Sequence, residues 1–400
     1  MAGMPEAQIA LLRQAIGVTL GAQALVVLSS LVLPVTAALV LPDIGLPKAA
    51  VGWYASILFG AGAVSTLATP QLVAALGPVR LHQAMLASAA AGLLALALAH
   101  PLALAASALL VGMAYGPANP ASSALLSQLA PPHLRNRVFS IKQVAVPVGG
   151  ASAGVMVPLL AATLGWQAAC LGLALLLGLA AMAVQPWRWR LDQGSLAPGK
   201  GGLGLLAPFA AVLRGGPTMR LGLASLCFAC VQFTFSAFLA TVLVTVAGWT
   251  IAAAGLALTI GLLVSIAARL LLGWVADRVA PAVVLCGLGA LMAAACLACI
   301  GLGPATPVWL VWLVAGLFGF AAFGWNGICL AETARLAGPG KVAAATSGVM
   351  MMIYLGACLG PALFGALLSG TGGPAAGFLV LGGLALAPLA WLRIPHAATK

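Results

Sequence analysis

Charge is what this chain has least of: 400 residues carry 17 Lys and Arg and 5 Asp and Glu, while 63% of the residues are apolar. A soluble domain of this size could not cover its surface with so few charges, so the solvent for most of the chain is lipid. That excludes nearly every cytosolic enzyme class. Short alternating segments of the kind that build a membrane barrel are also missing. The four histidines, His82, His100, His133 and His396, fall at helix ends or tails without metal-ligand spacing. No nucleophile–base set and no GxxxxGK[ST] loop occurs, which argues against an enzyme, a bound cofactor or metal, and a pump driven by ATP. The pairs Cys227/Cys230 and Cys296/Cys299 have CxxC spacing but no zinc or thioredoxin context. They read as small apolar packing residues.

What is there is oil in long blocks. A helix crosses a bilayer with about 20 mostly apolar residues. Twelve such blocks run at 15–41, 50–69, 80–99, 102–128, 138–164, 166–186, 220–245, 251–274, 280–301, 308–331, 342–368 and 373–392. The expected fold is therefore an all-α membrane protein, with a first block that stays as a helix rather than leaving as a signal peptide. Arg13, Arg80, Arg135, Arg137, Arg188, Arg190, Lys200, Arg214, Arg220, Arg278, Arg335, Lys341, Arg393 and Lys400 all fall on one side if every block spans. The other side holds only Lys48. The positive-inside bias places both termini in the cytoplasm of a bacterial-type inner membrane and explains the net charge of +12 without a nucleic-acid partner. Trp53, Trp166, Trp249, Trp309 and Trp312 mark outer helix ends, and Trp187, Trp189, Trp274 and Trp391 mark inner ones.

A polar stretch divides the chain into an N-terminal bundle (1–187), a cytoplasmic linker (188–219) and a C-terminal bundle (220–400). The halves echo each other weakly. Gly21-Ala-Gln23 matches Cys230-Val-Gln232, Tyr115-Gly-Pro-Ala-Asn119 resembles Phe323-Gly-Trp-Asn326, and Ser152–Pro158 is echoed by Ala357–Pro361. Two pseudo-symmetric sets of six helices are the mark of a two-bundle carrier.

Block eight ends in Gly273-Trp-Val-Ala-Asp277-Arg278. This Gly-x-x-x-Asp-Arg run resembles the cytoplasmic loop signature of the major facilitator superfamily. The equivalent loop in the first half keeps Gly77 and Arg80 but has Ala74 where the Asp would stand. The resemblance covers the whole chain and implies alternating access by a monomer, with gating residues Gly273, Asp277, Arg278, Gly77, Arg80 and Arg137. It also implies that Asp277 faces the start of a neighbouring helix on the inner side. Glu332 and Arg335, spaced i,i+3, pair either alone or with Arg278 in a charge cluster that adds to the gate.

Charges inside membrane helices are rare and usually functional. Arg269 lies eight residues before Asp277, about 12 Å deeper at the helical rise. Lys142 lies five residues beyond Arg137, about 7 Å deeper; it either snorkels to the inner surface or meets substrate. No Asp or Glu lies mid-helix. An embedded Arg without an acid favours a carboxylate able to accept a bidentate pair. The Arg-x-x-x-Gly spacing in block eight resembles that of monocarboxylate and oxalate/formate carriers, where the Arg contacts the substrate carboxylate. Met350-Met-Met-Ile-Tyr354 stands where oxalate carriers hold a second basic residue, which favours a monocarboxylate or another small anion over a dicarboxylate. The uncharged polar set comprises Gln23, Tyr115, Asn119, Gln143, Gln232, Trp325, Asn326 and Tyr354. Each can serve helix–helix hydrogen bonding or substrate. The expected function is a secondary transporter of a small organic anion, with a coupling proton or exchange. A drug or toxic-compound exporter is the alternative, since Pro147-Val-Gly149-Gly150 partly resembles the motif of drug–proton antiporters. A bent, closely packed helix also accounts for that stretch.

Overall fold

The computed structural model describes residues 5–46, 50–192, 206–214, 216–245, 247–249, 251–338, 340–371 and 373–392. Lys48, Lys200, Arg393, His396, Lys400 and the centre of the 188–219 linker lie outside the described residues. With no water to take up backbone groups, lipid leaves the apolar blocks only the helix, and among the described residues there is no strand. The helices are α1 (Glu6–Asp43), α2 (Ala50–Leu76), α3 (Pro78–Ala97), α4 (Pro101–Tyr115), α5 (Ala118–Leu129), α6 (Arg135–Gln143), α7 (Ala145–Leu164) and α8 (Trp166–Ala183). They continue as α9 (Gln185–Leu191), α10 (Ala207–Leu213), α11 (Pro217–Thr245), α12 (Ile251–Ala276), α13 (Pro281–Ile300), α14 (Val308–Ala337), α15 (Val342–Thr371) and α16 (Ala375–Leu386).

Among the described residues, 11 spans are long and apolar enough to cross a membrane, and Ala375–Ala390 adds a shorter apolar segment. This agrees with the twelve blocks of the sequence. Four blocks are not single helices, the sixth and twelfth only because their last residues leave the main helix. The fourth is broken between α4 and α5, where Pro117 offers no N–H and its ring crowds the carbonyl four residues back. The fifth is broken at Val144, and Pro147 has the same effect on the end of α6. Both interruptions fall beside polar residues, Asn119 in one case and Lys142 and Gln143 in the other.

The chain divides into two compact units. The first holds residues 1–131, 142–210 and 337–350, and the second holds 132–141, 211–336 and 351–400. In the first, α1 lies along α7, α3 lies between α4 and α8, and α2 runs beside α4. Val26, Leu33, Leu86, Leu93, Val111 and Val157 fill its core. Gly149 lets α7 approach α1 so closely that a methyl group there would strike the Ala24 carbonyl. In the second, α13 lies on α16 and α11 beside α12 and α16.

The tryptophans divide by environment. Trp53, Trp189, Trp274, Trp309 and Trp312 are exposed on the protein surface, as belt residues would be. Trp166 departs from that expectation. It is buried, and its indole Nε1–H donates to Asp43 Oδ2 at 2.6 Å, tying the start of α8 to the end of α1.

Candidate functional site

The first unit gathers four of the polar residues singled out in the sequence. α5 begins immediately after the Pro117 break and places Asn119 and Ser122 on one face. The Lys142 ammonium donates to Asn119 Oδ1 at 2.6 Å and to Gln143 Oε1 at 3.5 Å. Gln23 on α1 donates its Nε2 to the same Asn119 oxygen at 3.5 Å. The Asn119 amide in turn points at Met350 Sδ, 3.5 Å away. Lys142 is 2% exposed, so it does not snorkel; its ammonium turns inward to amide oxygens. Tyr115 packs edge-on against Phe59 at a centroid distance of 6.1 Å. The sequence reading missed His82. Although it sits in the first turns of α3, it is fully buried, with Nδ1 on the Pro78 carbonyl at 2.7 Å and Nε2 on Ser122 Oγ at 3.1 Å. Ser122 is one turn from Asn119, so His82 extends the same polar seam.

In the second unit Arg269 is 1% exposed, buried within protein rather than turned to lipid. Ser265, Arg269 and Gly273 share one buried face of α12 at one-turn spacing. Asn326 donates to Gln232 Oε1 at 2.9 Å, joining α14 to α11. Tyr354 is buried on α15. Trp325 is a packing residue: it is fully buried, its ring lies 5.6 Å from that of Phe228, and its indole N–H is spent on the Ala322 carbonyl at 2.8 Å.

At one end of that unit the start of α6 is locked in place. Asp277, just past α12, accepts from the Asn136 backbone N–H at 3.1 Å and lies 3.7 Å from Arg137 Nε. The Asn136 side chain donates back to the Ala276 carbonyl at 2.9 Å. A carboxylate thus meets the open N–H groups of a helix start. Burial raises the Asp277 carboxyl above its ordinary value, against the opposing pull of Asn136 and Arg137. About one turn further along α6, Ser140 lies over Gly273 of α12 and Gly327 of α14, and a Cβ at either glycine would overlap it. Arg278 takes no part in a cluster with Glu332; its guanidinium lies 3.7 Å over the Trp274 ring and bonds the Trp274 carbonyl. Glu332 instead pairs with Arg335 through two hydrogen bonds, Nε to Oε2 at 2.7 Å among them.

The first unit has its own capped helix start, and the sequence reading missed it. Gly77 has φ 84, and the carboxylate of Asp192 occupies the space its side chain would take. Asp192 accepts from the N–H groups of Val79 at 2.9 Å and Arg80 at 3.3 Å, with Arg188 Nε 3.9 Å away. The acid missing at Ala74 is supplied from the end of α9. Burial raises this carboxyl as well.

The bundle of membrane-length helices and the buried polar seams define a polytopic membrane protein of the carrier type. The chain belongs to the Major Facilitator Superfamily, whose profile matches residues 19–361. It is similar in structure to the human organic anion transporter MFSD10 (TETRAN), at 20% identity and TM-score 0.75 over 98% of this chain and 100% of that one. The fucose:proton symporter FucP of E. coli aligns at 14% identity and TM-score 0.70 over 95% and 98% of the two chains. An outward-facing bacterial homologue of the iron transporter ferroportin aligns at 15% identity and TM-score 0.73 over 96% and 97%. Comparison with curated protein sequences gives no match.

Proposed function

We propose that the chain is a secondary transporter that moves a small, monocarboxylate-like organic anion by alternating access, coupled to a proton or working by exchange. The observation that carries this is the burial of Lys142 and Arg269 within membrane helices, in a chain whose five acids all stand near helix ends. Glu6 and Asp43 bound α1, Asp192 and Asp277 follow α9 and α12, and Glu332 sits within two turns of the end of α14. Buried cations of this kind are suited to an anionic cargo. An organic anion transporter among the structural relatives is consistent with that cargo. Gln23, Asn119 and Gln143 beside Lys142 are the polar groups for the non-ionic part of the substrate, and Gln232, Asn326 and Tyr354 of the second unit are proposed for the same role. The sixfold halves, 1–187 and 220–400, are the moving bodies, and both termini are cytoplasmic. Arg269 is one turn from Gly273 and two from Asp277 on α12, so a shift of that helix on substrate binding reaches the α6 lock directly.

The test is uptake into proteoliposomes by Arg269→Gln, Arg269→Lys and Lys142→Gln. Loss of a charge-assisted hydrogen bond is worth about 1.5–3 kcal/mol, roughly a ten- to hundredfold loss of carboxylate transport. Arg269→Lys keeps the charge but loses the bidentate fork and is expected to stay impaired. Wild-type uptake by all three, with the proteins well folded, overturns the anion reading. A thermal-shift screen that finds stabilisation by cationic dyes and none by carboxylates replaces it with the exporter.

A further inference from the structure

We infer that the outer face of the α3–α8 pair is a binding site for one anionic phospholipid. A groove of about 620 Å³ runs between these helices, within the size range of small-molecule sites. Its walls are Ala84 and Ala87 on α3 and Ala181 and Met182 on α8. Ala84, Ala87 and Met182 are exposed, and alanine at these places leaves a slot where larger side chains would make a ridge. Gln83 forms the polar end of the slot. Its Nε2 donates to the Ala181 carbonyl at 2.9 Å and to Gln185 Oε1 at 2.8 Å, which pins the two helices together. From Arg80 to Ala87 the slot follows α3 for about 10 Å at the helical rise, enough for a stretch of acyl chain.

Charge stands at one end only. Arg80 lies at the head of the groove, exposed, and among the described residues it is in no ion pair. α9 adds Arg188, set between Trp187 and Trp189 in the sequence, with its guanidinium 5.1 Å from the centre of the Trp189 ring. The acid at this place, Asp192, is turned to the backbone N–H groups of Val79 and Arg80 and to Arg188. Arg80 and Arg188 therefore stand beside one acid that is already engaged. Basic residues and tryptophans at the end of an apolar groove match a phosphate headgroup with its chain below. A zwitterionic amine headgroup would lack a counter-charge here. This site is independent of the transported substrate.

The experiment uses the full chain in detergent, photolabelled by a phosphatidylglycerol with a diazirine in its acyl chain. Labelling is expected in the peptides covering 76–87 and 181–185 of the wild type. Excess unlabelled phosphatidylglycerol should compete, while phosphatidylcholine and inorganic phosphate should not. Arg80→Gln should weaken competition about fivefold, the worth of one basic residue at a charged surface. Ala87→Trp should block labelling by filling the slot, and Arg214→Gln, elsewhere in the chain, should change nothing. Equal competition by the two lipids, labelling dispersed over other helices, or unchanged affinity in both Arg80→Gln and Ala87→Trp overturns the proposal. The wild-type arm alone decides it if a variant fails to fold.

Discussion

Asp277 can hold the start of α6 either as a hydrogen-bond acceptor or as a charge, and two substitutions separate these roles. Asp277→Ala removes the acceptor used by the Asn136 N–H at 3.1 Å. Loss of such a cap costs about 0.5–2 kcal/mol, roughly a two- to thirtyfold shift toward the undocked segment. The ion pair adds little. Arg137 Nε is 3.7 Å away on a side chain 35% exposed, and pairs so exposed are worth about 1 kcal/mol or less. Asp277→Asn keeps the acceptor and drops the charge. Because burial raises the Asp277 carboxyl, docking favours its protonated form. The sign follows from linkage: the docked state binds the proton more tightly, so this contribution is complete below the ordinary carboxylate value and is lost as pH rises through the raised one. At neutral pH the ionised group carries a desolvation cost that an amide does not. Hydrogen exchange of the 132–143 segment measures the outcome. Asp277→Ala should exchange about two to thirty times faster than wild type, and Asp277→Asn no faster. Equal acceleration in both variants would show that charge holds the helix start. No acceleration in either would show that α6 does not depend on Asp277 at all.

Gly77→Ala should lower the melting temperature, since φ 84 with ψ 156 is a glycine-favoured conformation that costs other residues about 1–3 kcal/mol and the new methyl meets Asp192; Asp192→Ala should relieve part of that loss in the double variant, a non-additivity that a double-mutant cycle detects. The melting temperature of the wild type relative to Asp192→Asn should rise as pH falls from neutral through the raised value of this carboxyl; a flat or falling difference contradicts the burial of Asp192. Gly327→Leu fills the space taken by Ser140 and should speed hydrogen exchange in 132–143. Trp166→Phe removes the 2.6 Å bond to Asp43 and should destabilise by about 1.5–3 kcal/mol in chemical denaturation, as for bonds to charged groups.

What could be read from the sequence was what lipid enforces locally. Apolar blocks become spans because nothing else satisfies their backbone, and Asp277 was legible as a cap because the run Gly273-Trp-Val-Ala-Asp277-Arg278 is contiguous. What escaped notice depends on partners far along the chain. Asp192 caps a helix start 113 positions away, at Val79, so the first-half loop looked eroded when its acid had only moved. Lys142 was recognisable as an embedded charge, but its direction was set by Asn119, on α5 just past the Pro117 break. His82 looked like a helix-end residue until Ser122 of α5 covered it. Trp166 had the position of a belt residue, and Asp43 at the end of another helix drew it inward. By their contacts, residues 132–141 of the fifth block group with the second unit and residues from Lys142 on with the first. The change of unit falls between Ile141 and Lys142, within one turn of the break at Val144. If α6 undocks during transport, the hinge is at Val144. Val144→Ala, together with Pro147→Ala, should then make the span continuous and slow turnover while leaving substrate affinity unchanged.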